Sequence, residues 1–403
     1  MLRLYNSLSR KKQAFVPISR KEVKIYTCGP TVYARPHIGN YRTYVFEDAV
    51  KRYLIYRGMR VRHVMNITDI DESVRKATKK AGVSRPALAR KYEVLFRQDA
   101  ASLGMLPADS YPHVSRYVQR MAGTAAKLLE SGMAYKDEKC RVFFDISKFP
   151  SYGKLAGRKI TGGRKVMREE YRPFQAGDFL LMSRCREKNC EKCYETRMGK
   201  CSPAWNVQCA TMATAELGCR IDISMGGRDN LFNHHENTRA IANSLCGAEY
   251  SEYYLHARHL IVDGQKMSKS RKNTIYLPDL LSRGMPARAS RMLLLSVHYR
   301  RRLDFTWKLA QEVKMRWLGM KKAVNRLKSA HGQEAREGFG EYAAAAKKEF
   351  EAALDDDMDV PGALDVSEKF ARECADAGLS ARQSRAALAL LKKFDAVLGC
   401  LPV

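Results

Sequence analysis

Short mixed or apolar runs alternate with longer stretches of helical spacing in the first part of the chain. Val23-Lys24-Ile25-Tyr26-Thr27 is short and alternates in character, which predicts a strand. Cys28-Gly29-Pro30-Thr31 breaks it. After Gly39, apolar side chains recur at Val45, Phe46, Ala49, Val50, Tyr53 and Leu54, and Gly58 is placed to end the helix they predict. Val61 to Thr68 predicts a second strand. Strand, helix and strand within about fifty residues make a βαβ unit and predict a parallel sheet. Ligands of such sheets bind beyond the carboxyl ends of the strands, the edge that carries Cys28 and Thr68.

The pattern changes from about 122 to 204, where Gly- and Lys-rich turns around Tyr152-Gly153-Lys154 and Gly162-Gly163-Arg164 precede a group of cysteines. This reads as an insertion. A second strand-turn-helix unit follows, with Arg220-Ile221-Asp222-Ile223, then Gly226-Gly227, then a helix from about Asn233. From about Trp307 the chain is rich in Ala, Lys and Glu with helical periodicity, broken near Asp355-Asp356-Asp357 and Pro361. The fold class expected is α/β. A Rossmann-like parallel-sheet catalytic domain spans 1–305 and carries the insertion at about 122–204; an α-helical bundle domain follows at 306–403.

Composition fits a folded chain of two or three domains. Of 403 residues, 45% are hydrophobic and 29% charged, enough for a core without disulfide staples. Lys and Arg number 72 against 43 Asp and Glu, a formal charge of +29, which calls for a polyanionic partner such as nucleic acid. No apolar run approaches a bilayer span, and Met1-Leu2-Arg3-Leu4-Tyr5-Asn6-Ser7 lacks a signal-peptide core, so no membrane role and a cytoplasmic address are expected. In that compartment the eleven cysteines are expected as thiols or metal ligands rather than disulfides.

Two elements carry chemistry. Pro36-His37-Ile38-Gly39-Asn40 lies between a strand and a helix start, where free N–H groups and the helix dipole favour phosphate and His37 could donate to it. Lys266-Met267-Ser268-Lys269-Ser270 follows the tight turn Val262-Asp263-Gly264 and could grip a triphosphate as pyrophosphate leaves. Each alone is also a plain turn or surface loop. Together they resemble the two signature motifs of class I aminoacyl-tRNA synthetases, with Asn40 where His is commoner. Further stretches resemble the cysteinyl-tRNA synthetase family: Tyr26 to Tyr33, Met65-Asn66-Ile67-Thr68-Asp69-Ile70-Asp71, Phe149 to Leu155, His234-His235-Glu236-Asn237, Ser296 to Arg300 and Asp356 to Pro361.

The resemblance implies ATP with Mg²⁺ as substrate, L-cysteine as the amino acid and a cysteine tRNA as acceptor. It implies catalytic roles for His37, Lys266 and Lys269, and an ATP site that adds Pro36, Gly39, Asn40, Gly226 and Gly227. Gly29, Thr68, Trp205 and Asp229 are implied around the substrate, and Cys28, Cys209 and His234 as zinc ligands. A monomer is expected. The chain departs from the family at Thr238, where Glu is the usual fourth ligand, at Asn206 and Gln208 in place of His and Glu, and at Ser224-Met225 in place of His-Gly. Thr238 and the end at Val403, without the usual anticodon-binding domain, also resemble mycothiol ligase. An alternative acceptor, a small amine, therefore stays open, as does an RNA-binding paralogue with weak catalysis. Cys185, Cys190, Cys193 and Cys201 could close a second, structural zinc site or remain free thiols.

Overall fold

A computed structural model of the chain describes residues 1–158, 177–185, 193–267, 271, 273–330 and 335–403. An antiparallel hairpin of β1 (Arg3–Asn6) and β2 (Lys11–Ala14) leads into the expected unit: β3 (Val23–Thr27), α1 (Ile38–Tyr56) and β4 (Val61–Met65). Helices α2 (Glu72–Ala81), α3 (Arg85–Ser102) and α4 (Val118–Glu130) follow. Next comes an antiparallel sheet within the stretch read as an insertion. Its strands are β5 (Ala134–Lys136), β6 (Val142–Phe144), β7 (Phe179–Arg184), β8 (Tyr194–Thr196) and β9 (Gly199–Pro203), in the order β5-β6-β7-β9-β8.

The second unit is α5 (Trp205–Leu217), β10 (Ile221–Gly227), α6 (Glu236–Cys246) and β11 (Ser251–Ala257). Its strands join the first pair in one parallel sheet, ordered β11-β10-β3-β4, with Ile223 opposite Ile25 and Met225 opposite Thr27. The chain steps outward from β3 to β4 on one side and from β10 to β11 on the other. The crevice between β3 and β10 is thus the topological switch point, where a ligand of this fold binds. A small sheet of β12 (Leu260–Val262), β13 (Gln265–Lys266) and β14 (Leu303–Phe305) encloses α7 (Leu277–Ser282) and α8 (Ala287–Leu295) in sequence. Four long helices end the chain: α9 (Trp307–Lys328), α10 (Phe339–Asp355), α11 (Val360–Asp376) and α12 (Ala381–Leu398). No helix among the described residues is long and apolar enough to cross a membrane.

Two cores lie against the sheet. One joins Val45, Ala49 and Tyr53 of α1 to Leu293 of α8 and to Phe350 and Phe394 of the terminal helices. The other packs Tyr26 and Val64 against Val207, Ala210, Ala240 and the Phe144–Phe179 stack of the antiparallel sheet. Because α1 is covered on nearly every side, most of its charged residues find partners inside, and Glu47, fully buried with no hydrogen-bond partner among the described residues, has its carboxyl pushed well above the usual range by burial. Arg42 donates to the carbonyls of Leu294 (2.8 Å), Arg301 (2.9 Å), Val297, His298 and Arg258 (each 3.2 Å). Asp48 pairs with Arg52 (2.8 Å) and with the fully buried Arg291 (2.5 Å). Arg291 also donates to the carbonyls of Leu398 (2.6 Å) and Leu103 (3.2 Å), so it ties α8 to both α1 and the end of α12.

Removing one partner of a buried pair strands the other charge and the carbonyls. Arg291→Ala is expected to lower unfolding free energy by about 3–5 kcal/mol. Urea denaturation of parent and variant checks this; a loss under about 1 kcal/mol would show that Arg52 alone satisfies Asp48.

Candidate active site

The loop after β3 holds the first group of site residues. Thr68 N–H donates to Pro30 O and Val32 N–H to Thr68 O, each at 3.0 Å, so the loop is laced to the segment beyond β4. Gly29 lies so close to that segment that a Cβ would fall 1.9 Å from the Asn66 carbonyl oxygen; no other residue type fits. Asn66, 2% exposed, organises the pocket. Its Oδ1 accepts from Gly29 N–H (3.2 Å) and Tyr26 O–H (3.3 Å) and faces Cys209 Sγ at 3.8 Å. Its Nδ2 donates to Thr68 Oγ1 (3.0 Å). The Gly29 N–H fixes which end of the amide is oxygen.

Cys28 stands on this loop, Cys209 on α5, and His234 in a π-helical turn, Leu231–His235, that introduces α6. Such turns displace a helix by one residue and re-aim its side chains, and they are frequent at functional sites. The three donor atoms lie within 4.8 Å of one another. Cys28 Sγ is 3.8 Å from Cys209 Sγ, and His234 Nε2 is 3.1 Å from Cys209 Sγ. Ordinary zinc bond lengths and tetrahedral angles require sulfur–sulfur and sulfur–nitrogen edges of about 3.7 Å and 3.5 Å. The donor set and its spacing fit a zinc ion with one position left for another ligand. The hydrogen bond from Cys28, reinforced by His234, holds the Cys209 thiol well below its usual range, while that bond and burial raise Cys28. Trp205 lies flat on His234, with ring centres 3.9 Å apart and planes within 3°.

A second layer was not legible as a set. His235 Nε2 is 3.2 Å from Cys28 Sγ, its Nδ1 is 2.7 Å from His256 Nε2, and His256 Nδ1 is 2.8 Å from Ser7 Oγ. Gly226 leaves room for His235, since a Cβ there would fall 2.5 Å from its ring. Three of the departures from the family pattern are absorbed locally, whereas Gln208 is buried with its Oε1 lacking a hydrogen-bond partner among the described residues. Asn206 Oδ1 accepts from Asn237 Nδ2 (3.0 Å), Ser224 Oγ accepts from Tyr250 O–H (3.1 Å), and Met225 fills the core beside α1. Thr238 is buried one turn beyond His234, and its hydroxyl has no hydrogen-bond partner among the described residues.

His37 caps the N-terminus of α1. Its Nδ1 accepts from Asn40 N–H (3.3 Å) while Asn40 Oδ1 accepts from His37 N–H (3.0 Å). An imidazole that accepts at Nδ1 carries its proton on Nε2, a donor suited to a phosphate oxygen. Asn40 thus serves as the reciprocal cap, a role its short amide can fill. Pro36 is buried ahead of it, and Gly39 is the second residue of the helix. Ile38 N–H donates to Ile275 O (3.0 Å), joining this corner to the chain beyond the Lys266 loop. Lys266 is exposed on β13; Lys269 lies outside the described residues. Gly227 ends β10, and Asp229 beside it is exposed, 3.8 Å from His259 Nδ1.

The cysteine cluster differs from expectation. Cys185 and Cys193 are joined in a disulfide, because β9 pairs with both β7 and β8 and brings Arg184 and Tyr194 to either side of Cys201. Cys201 is buried, its thiol 3.1 Å from Thr196 Oγ1, and Cys190 lies outside the described residues. The four free thiolates of a closed zinc site are therefore not present together. Cys219 and Cys246 form a second disulfide, across the ends of α5 and α6, where free thiols were expected.

Residues 14–315 match the family model described as tRNA synthetases class I (C) catalytic domain. The chain is 38% identical to a cysteine–tRNA ligase of Chlamydia caviae, over all of this chain and 86% of that one. The chain belongs to the cysteinyl-tRNA synthetase family of class I. A cysteine–tRNA ligase of Methanosarcina mazei is 36% identical over 99% of this chain and 87% of its own. Among solved structures, methionyl-tRNA synthetase of Mycobacterium tuberculosis with methionyl-adenylate superposes with a TM-score of 0.70, covering 94% of this chain and 92% of that one at 15% identity. A leucyl enzyme of Agrobacterium radiobacter in a ternary complex with tRNA gives 0.68 at 12% identity, covering 96% and 87%. The fold is that of class I synthetases. Membership of the cysteinyl family makes this chain an enzyme of that type, with ATP and Mg²⁺ as substrate.

Asn66 is the site residue that sequence reasoning left unassigned. Asn66→Ala is expected to raise the KM for cysteine roughly tenfold, the worth of one or two pocket hydrogen bonds, with the KM for ATP little changed. Pyrophosphate-exchange kinetics with each substrate varied check this; equal effects on both would mark a general loss of structure.

Proposed function

We propose that this chain activates L-cysteine with ATP and transfers the cysteinyl group to the terminal ribose of a cysteine tRNA. One observation carries the reading. The loop after β3 holds a thiol of the Cys28–Cys209–His234 set at one end and His37, at the N-terminus of α1, at the other. A group that reads sulfur thus adjoins a group that binds phosphate. The cysteine–tRNA ligases at 36–38% identity support it.

In the first step a carboxylate oxygen of cysteine attacks the α-phosphorus of ATP, the α–β bridge breaks, and pyrophosphate leaves. The His37 Nε2 proton, the α1 N-terminus and Lys266 stabilise the charge that develops, with Lys269 in the same role. Thr68, Trp205, Gly29 and Asp229 border the amino acid, and Asn66 holds Thr68 and Gly29 in place. Zinc held by Cys28, Cys209 and His234 would supply an open coordination position that accepts a thiolate and refuses a hydroxyl or methyl. In the second step a ribose hydroxyl attacks the acyl carbon and AMP departs.

The test is incubation of the purified chain with labelled cysteine, ATP and cysteine tRNA. The reading predicts label on RNA through a base-labile ester. Normal adenylate formation with no label on RNA, but ligation to an added amine, would replace the tRNA by a small acceptor.

A further inference from the structure

We propose that Arg228 and Arg258 form a phosphate-binding subsite for the single-stranded 3′ end of the acceptor RNA, beside the nucleotide crevice rather than in it. The inference rests on the reading above and names a surface for the acceptor.

The register places the pair. Gly227 at the end of β10 lies opposite Ala257 at the end of β11, so the next residues, Arg228 and Arg258, leave two adjacent parallel strands side by side at the carboxyl edge. Neither guanidinium makes a hydrogen bond or ion pair with any described residue. Three other arginines are committed: Arg300 to Asp357 (2.6 Å), Arg239 to Glu249 (2.7 Å), and Arg42 to five carbonyls. Burial, then the charge of Arg258, lowers the Arg228 guanidinium from its usual range, which agrees with like charges facing each other. Asp229 is the adjoining acid; its carboxylate is open to solvent and its basic neighbour is His259 at 3.8 Å.

Two like charges held together without a counter-ion repel, and an anion between them removes that cost. Guanidinium forks match phosphate oxygens in pairs and stack on bases as well, so an RNA strand suits them better than a simple anion. The pair borders the ATP site on the side of the edge strand. The switch point lies between β3 and β10, next to His37, whereas Arg228 and Arg258 leave β10 and the edge strand β11. A second ligand approaching the adenylate from outside the crevice would cross them. The +29 charge of the chain favours a polyanion as that ligand.

The experiment compares the parent with the double variants R228A/R258A and R228K/R258K in two assays. Cysteine-dependent pyrophosphate exchange reads activation; transfer to full-length cysteine tRNA over a range of NaCl concentrations reads the acceptor. The Ala pair should leave exchange within about twofold and raise the KM for tRNA roughly tenfold or more, since each lost arginine removes a charge-assisted contact. It should also flatten the dependence of log KM on log salt by about 1 per residue. The Lys pair should recover the salt slope more fully than the KM, because charge returns without the fork. Exchange that falls in step with transfer would assign the pair to ATP and overturn the proposal. An unchanged KM and salt slope would overturn it as well. A parent chain that activates cysteine but never charges RNA would fail earlier, and would refute the underlying reading together with this subsite.

Discussion

Replacing His37 with alanine should slow cysteine-dependent ATP–pyrophosphate exchange roughly 10²–10³-fold, the usual loss when one preorganised donor to a developing charge is removed. The imidazole is oriented by the reciprocal hydrogen bonds with Asn40, which lowers the ordering cost of using its Nε2 proton as a donor. Cysteine binding should change much less, because the thiol pocket stands at the other end of the loop. His37 is also the cap of α1, and its loss costs the helix about 1 kcal/mol, which could mimic a catalytic defect. His37→Asn separates the two effects, since Asn caps a helix well but has no ring N–H to offer. Both variants should be equally slow, with only the Ala variant less stable to heat. An Ala variant with the parent's exchange rate would remove His37 from the adenylation step. The corresponding Lys269→Ala change should be as costly.

The second large effect is expected at the thiol pocket. Cys209→Ser should release the metal and lower the rate of cysteine activation by at least roughly 10²-fold, since even a residue behind a metal ligand costs ten- to a hundredfold. Cys209 is the thiol whose ionisation the site favours, and it touches both other donors. Elemental analysis should find one zinc per parent chain and almost none in the variant. Cys193→Ser should keep that zinc, because Cys193 is held in a disulfide with Cys185 and is not one of the three pocket donors. Zinc retained in Cys209→Ser but lost in Cys193→Ser would move the metal out of the pocket.

The first βαβ unit was readable because its periods are local. Alternation at Val23–Thr27 and the 3.6-residue spacing from Val45 to Leu54 need no knowledge of the rest of the chain. The strand at Val61 ends at Met65, three residues short of expectation, as Asn66 and Thr68 turn to the pocket instead of the ladder. The Cys28, Cys209 and His234 set came from resemblance alone; residues 181 apart carry no spacing signal until α5 and α6 pack over the sheet. The same applies to the His235–His256–Ser7 chain, whose last contact joins His256 to Ser7, 249 residues apart in sequence. The cysteine cluster was misread for a related reason. Sequence spacing shows four thiols in one loop, but strand β9 between β7 and β8 decides which two meet. Arg228 and Arg258 gave no signal at all, since their closeness depends on the β10–β11 register.

The most direct test of the account is ATP–pyrophosphate exchange by the purified chain across the standard amino acids. Exchange should be stimulated by cysteine and should remain near background with serine, which offers the pocket a hydroxyl where it is built to read sulfur. Exchange driven best by another amino acid, with cysteine at background, would contradict it.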